Sequence, residues 1–186
     1  MKELILGGQK SGKSGLAERR ASDWLRESSQ EAILIVTAHA YDAEMTERIA
    51  RHQAGRRARL PRLNVIESTN DVATLIKRYS TGRTLIIVDC LTLWLTQLWL
   101  PPEGVPAAAS DIQSEVDALS SAISAATGPV VLIANEIGMG VTPLGRDARQ
   151  MVDELGRLNQ RMAQVVDKVT LMVAGCEVPV RGSRHD

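Results

Sequence analysis

Apolar residues fall along the chain in two patterns. Short unbroken runs occur at "ELIL" (3–6), "AILIVT" (32–37), "TLIIVD" (84–89), "VVLIAN" (130–135) and "VTLMVAG" (169–175). A strand covered on both faces of its sheet needs continuous rather than alternating hydrophobicity, so these runs predict a parallel sheet. Between them, apolar positions recur every three or four residues, which predicts helices over 13–28, 41–53, 70–80, 91–99, 111–126 and 143–167. Regular alternation of the two patterns predicts a doubly wound α/β fold, a mostly parallel sheet with helices on both faces. Two weaker runs extend it, "NVIE" (64–67) as one more strand and "EVPVR" (177–181) as an antiparallel edge.

The last helix carries the clearest signals. Thr142 followed by Pro143 reads as an N-cap with proline at the first helical position. From there apolar residues at 144, 148, 151, 155, 158, 162 and 165 form one stripe. Packing onto the sheet accounts for such a stripe; a subunit contact would use the same positions, and the stripe alone does not choose. With 186 residues, 44% of them apolar, the chain is sized for one domain spanning 1–186. "PPEGVPAAAS" (101–110) is the one long loop, and it does not divide the chain because strands continue on both sides.

Lys plus Arg and Asp plus Glu are both 22, so net charge suggests neither nucleic acid nor an anionic membrane as partner. The arginines cluster at 48–62 and 146–161, and such local patches suit phosphate ligands. Aromatics make up 3% and Phe is absent, which argues against a stacking platform for single-stranded nucleic acid. No apolar stretch is long enough to span a bilayer. "MKELILGG" is not a signal peptide, because its apolar run ends at once in glycines. Two cysteines without CxxC spacing argue against a disulfide framework or zinc site and for a reducing, cytoplasmic compartment.

"GGQKSGKS" follows the first strand directly and fits the phosphate loop G-x-x-x-x-G-K-[ST]. Gly7, Gly8, Gln9, Lys10, Ser11, Gly12, Lys13 and Ser14 are therefore expected to bind nucleotide, in a P-loop NTPase-like fold. Glycines let successive amides point at phosphate oxygens, and the helix beginning near Lys13 adds its positive end. Lys13 reaches the terminal phosphates and the Ser14 hydroxyl holds Mg²⁺. Asp89, ending the "TLIIVD" strand, supplies the carboxylate that a magnesium site also needs.

"RIARHQAGRR" (48–57) sets His52 among four arginines. At about 100° per residue, Tyr41, Met45, Ile49 and His52 share one side of a helix, with Gly55 as its stop. The spacing accommodates a packed histidine bonded to a carbonyl, and the arginines could be a solvated face. The chemical alternative is specific. A neutral imidazole can attack an α-phosphate as pyrophosphate leaves, giving a covalent nucleotidyl-enzyme. Arginines would stabilise the charge that develops.

"ILGGQKSGKS", "DAEMTERIARHQAGR", "LIIVDCLTLWLTQL", "ANEIGMGVTP" and "GRLNQRMAQVVDKVTLMVAG" occur in this order. Together they resemble the bifunctional adenosylcobinamide kinase/adenosylcobinamide-phosphate guanylyltransferase family of cobalamin biosynthesis, from residue 3 to about 181. The resemblance implies phosphorylation of adenosylcobinamide by ATP or GTP. Transfer of GMP from GTP through a guanylylated histidine then gives adenosylcobinamide-GDP. It implies His52 as that histidine, with Thr37, Ala38, His39, Gln53, Ala54, Gly55, Arg56, Glu67 and Asp89 at the nucleotide sites, and a homotrimer. The chain departs from the family pattern at Arg51, where relatives carry a second histidine, and at Gln97, where they carry Asn. The run "RRARLPRLNVIE" is longer and more basic than usual, so Glu67 is matched across a gap.

Asn135 and Glu136 in the "ANEIGMGVTP" block either form a plain strand-to-helix turn or line the crevice on the corrinoid side. Arg146, Arg149, Arg157 and Arg161 follow as candidate ligand contacts. A single-step P-loop kinase in which His52 only binds phosphate would share most of these features. A GTP-binding switch module would be expected to carry N-K-x-D, which is missing here.

Overall fold

The computed structural model describes residues 1–38, 55–56, 58–68, 70–101 and 107–182. Seven strands form one sheet: β1 (Lys2–Gly7), β2 (Glu31–Val36), β3 (Leu63–Glu67), β4 (Thr84–Asp89), β5 (Val130–Asn135), β6 (Lys168–Val173) and β7 (Cys176–Arg181). Their order is β3-β2-β4-β5-β1-β6-β7. Every pairing is parallel except β6 with β7. Among the described residues the helices are α1 (Lys13–Trp24), α2 (Val72–Tyr79), α3 (Leu91–Trp99), α4 (Ala109–Ala125) and α5 (Arg146–Val165). The helix expected over 41–53 lies outside the described residues.

Continuous apolar runs serve both faces, as the pattern demands. Leu4, Ile33, Ile35, Ile86, Val88 and Leu132 point into a core shared with α2, α3, α4 and α5. Their neighbours Ile5, Leu34, Ile87, Val131 and Ile133 pack on the other face against Leu16, Ala17 and Ala21 of α1. Both edge strands, β3 and β7, were the weak runs, because an edge strand buries less and needs fewer apolar residues.

Three boundaries differ from expectation. "VTLMVAG" ends as a strand at Val173, because Ala174 (φ 52) and Gly175 (φ 83) adopt left-handed conformations and turn the chain into β7. Helix α1 stops at Trp24; the Arg62 guanidinium donates to the carbonyls of Leu25, Ser28 and Gln30 and holds the segment beyond it out of helical form. Finally, α5 starts at Arg146 with Gly145 as N-cap, so Thr142 and Pro143 do not cap it. Arg149 donates to the carbonyls of Pro143 and Leu144, fixing that approach in an irregular form. The stripe is also divided. Leu155, Leu158 and Met162 are buried, whereas Leu144 is 98% exposed.

Among the described residues, the charged Glu3 is wholly buried. Glu3 accepts bonds from Arg20 (2.9 Å) and Thr170 (2.7 Å) and pairs with Lys168 (3.1 Å). Burial alone would raise its pKa, but Arg20, Thr170 and Lys168 outweigh that and hold the carboxyl below its ordinary 4.5. A depressed folded-state pKa contributes stability above the unfolded value and loses it as pH falls through the folded one. Glu3→Gln should therefore cost about 3 kcal/mol at neutral pH, toward the low end for a broken buried pair because Arg20 keeps Glu177. Urea denaturation of wild type and variant should converge below the ordinary 4.5; a pH-independent gap would refute the charge argument.

Candidate active site

The sheet brings the carboxyl ends of its parallel strands to one edge, where Gly7 aligns with Asn135 and Val36 with Asp89. The expected phosphate loop connects β1 to α1 at this edge. Gly7 must be glycine, since a Cβ there would lie 2.6 Å from the Met172 carbonyl. Gly12 (φ 105) caps α1 in left-handed form, and its Cβ would meet Gly175 and Met172 at 3.3 Å. No side chain caps α1, so the first amides of that helix stay available to an anion. Ser11 Oγ is buried without a hydrogen-bond partner, a donor that a phosphate oxygen would satisfy.

Support for the loop comes from the β6–β7 turn, which the sequence did not reveal. Gly175 N–H donates to the Ser11 carbonyl at 2.9 Å. Lys13 is buried, and its Nζ donates to the carbonyls of Gly7 (2.9 Å) and Gly8 (2.7 Å). The ammonium thus braces the loop and must exchange these carbonyls for phosphate oxygens. Burial lowers its pKa, opposed by Cys90 and Asp89. Cys90 is itself pushed up to about 11, first by burial and then by Asp89, so at neutral pH Asp89 supplies the counter-charge. Cys176 is exposed, so native protein should react with iodoacetamide at one thiol, and at Cys90 only after unfolding.

Ser14 Oγ donates to Asp89 Oδ2 at 3.0 Å. The same oxygen lies 3.9 Å from Arg56 Nη2. A hydroxyl and a carboxylate are hard oxygen donors that suit Mg²⁺, and a guanidinium already stands beside them as a cation. Among the described residues no cluster of three or more His, Cys, Asp or Glu exists.

Arg56 is 6% exposed, and its Nε donates to Glu18 on α1 at 3.2 Å. Arg59 donates to the other Glu18 oxygen at 2.7 Å. Of the candidate basic face, Arg56 is therefore a buried, paired group. Gly55 is helical beside it; His39, His52, Gln53 and Ala54 lie outside the described residues.

Thr37 is fully buried and engaged throughout. Its N–H donates to the Asp89 carbonyl, its Oγ1 bonds both the Cys90 carbonyl and N–H, and its carbonyl accepts from Gln97 at 2.6 Å. The ligand-accessible part of this strand end begins at Ala38, which is half-buried. Glu67 ends the edge strand β3, paired with Val36. Four strand spacings, roughly 19 Å, separate it from Gly7, so it does not join the phosphate group. Glu136 N–H donates to the Gly7 carbonyl, which ties the "ANEIGMG" turn to the phosphate loop. Asn135 is anchored through its backbone by Thr92 Oγ1 and Asn159 Nδ2. Arg157 and Arg161 pair with Glu154 and Asp117 away from this edge.

Residues 3–180 match the family model described as cobinamide kinase / cobinamide phosphate guanyltransferase. The chain is 43% identical over 182 residues to the bifunctional adenosylcobalamin biosynthesis protein CobP of Pseudomonas aeruginosa, covering 98% of each. It is 34% identical to the corresponding CobU of Salmonella typhimurium, covering 96% of this chain and 98% of the relative. Among solved structures, a KaiC-like protein from Pyrococcus horikoshii shares the fold with a TM-score of 0.52 at 10% identity, over 91% of this chain and 69% of the other. No described helix is long and apolar enough to cross a membrane.

Proposed function

Because the chain belongs to the cobinamide kinase / cobinamide phosphate guanyltransferase family, we propose that its carboxyl-edge site phosphorylates adenosylcobinamide and that His52 then carries GMP to the product. The observation that carries the reading is the joining of Lys13, Ser14 and Asp89 around one phosphate loop, with Arg56 of the His52 segment against them. In the first step the loop amides and Lys13 hold the triphosphate and stabilise charge on the γ-phosphoryl oxygens as the substrate hydroxyl attacks. Positioning does most of this work. Mg²⁺ held by Ser14 and Asp89 would neutralise phosphate charge there.

In the second step a nitrogen lone pair of neutral His52 attacks the α-phosphorus of GTP. The bridging P–O bond breaks, pyrophosphate leaves with that electron pair, and a P–N bond has formed. A phosphate oxygen of adenosylcobinamide phosphate then displaces the histidine, breaking the P–N bond and restoring the imidazole. Other arginines of the 48–62 cluster would stabilise charge on the phosphates. Exposed Met139, Val141 and Leu144 at the same end of the sheet offer an apolar surface that suits contact with the corrin ring or with further copies in the proposed homotrimer. Incubation with α-labelled GTP should leave acid-labile, base-stable label on the protein, discharged by adenosylcobinamide phosphate. Protein that phosphorylates cobinamide but never takes label would be a kinase alone.

A further inference from the structure

Glu18 belongs to neither the phosphate loop nor the histidine segment, yet it joins them. It lies one helical turn after Ser14, on the same face of α1. Its Oε1 accepts from Arg56 Nε at 3.2 Å, and Oε2 accepts from Arg59 at 2.7 Å. The far end of the Arg56 guanidinium is 3.9 Å from Asp89 Oδ2, the oxygen that accepts from Ser14. One buried guanidinium is thus shared between two carboxylates. Toward Glu18 it makes a hydrogen bond; toward Asp89 the separation is that of an ion pair without one.

We propose that Glu18 is a positioning residue that draws Arg56 away from Asp89 and so lessens its competition with a divalent cation for that carboxylate. The proposal rests on the reading of Ser14 and Asp89 as magnesium ligands. A guanidinium and Mg²⁺ compete for the same oxygen, and burial strengthens the competition because water screens it poorly. Neutralising Glu18 leaves Asp89 as the stronger attraction for Arg56. The same contact fixes the chain four residues beyond His52 to the phosphate-loop helix.

The test is equilibrium binding of a fluorescent GTP analogue to the full chain as Mg²⁺ is varied, with an EDTA control. Glu18→Gln should raise the Mg²⁺ midpoint about tenfold or more, as for partners that orient metal ligands, and leave binding in EDTA near wild type. Adding Arg56→Gln to Glu18→Gln should return the midpoint to the wild-type value or below. Damage to the fold alone would not produce that reversal. Arg56→Gln by itself should lower the midpoint, which keeps the proposal testable if Glu18→Gln fails to fold. An unchanged midpoint in Glu18→Gln, a double variant no better than the single one, or a raised midpoint in Arg56→Gln would overturn it. Asp89→Asn separates the two layers: no Mg²⁺ dependence lost there removes the metal reading itself, whereas a loss there with no effect at Glu18 removes only the positioning role.

Discussion

His52→Ala should abolish GMP transfer, by a factor on the order of 10⁴ or more, while adenosylcobinamide is still phosphorylated at close to the wild-type rate. The asymmetry follows from chemistry. In the proposed mechanism, removing the nucleophile deletes the covalent step. Transfer of the γ-phosphoryl group calls on the amides of the phosphate loop, Lys13 and the Ser14–Asp89 pair instead. The two half-reactions should be assayed separately, with adenosylcobinamide as acceptor in one and its phosphate in the other. GMP transfer by the variant above about one per cent of wild type would remove His52 from its role. Equal loss of both reactions would make it a residue of the fold.

Lys13→Ala should lower kcat of the kinase step by about 10²- to 10³-fold, the usual cost of one charge-stabilising donor in a transfer site. Its Nζ holds the carbonyls of Gly7 and Gly8 in the resting loop, so part of the loss comes from a slackened cradle and should appear as weaker nucleotide binding. Lys13→Arg should not restore the rate, because a planar fork does not fit where a compact ammonium serves two converging carbonyls. Steady-state kinetics with equilibrium nucleotide binding would separate the components. A kcat within tenfold of wild type would mean that the loop amides suffice without the lysine.

Signals that depend on neighbours along the chain were legible. The phosphate loop reads directly because its glycines, lysine and serine act within eight residues, and the structure places Ser14 on Asp89 as the paired motifs imply. Glu18 and Gly175 were not legible. Glu18 is an ordinary helix carboxylate until the chain returns at Arg56, and Gly175 is a hairpin residue until its N–H meets the Ser11 carbonyl, 164 positions away. The Thr142–Pro143 start failed for a related reason. Local capping preference predicts a helix there, but Arg149 ties the carbonyls of Pro143 and Leu144, and no core lies beneath Leu144 to reward an earlier turn.

Hydrophobic period, strand and helix types, the parallel sheet and the nucleotide chemistry were determined by the sequence itself, because each arises from spacing within one element or one loop. Tertiary structure alone decided which carboxylate faces which arginine and what braces the phosphate loop. It also decided that Thr37 spends its polar groups inside the fold while Asp89 presents an oxygen beside Ser14 and Arg56. Those outcomes depend on strand order, which sets the distances between residues remote in sequence and leaves no periodic trace along the chain.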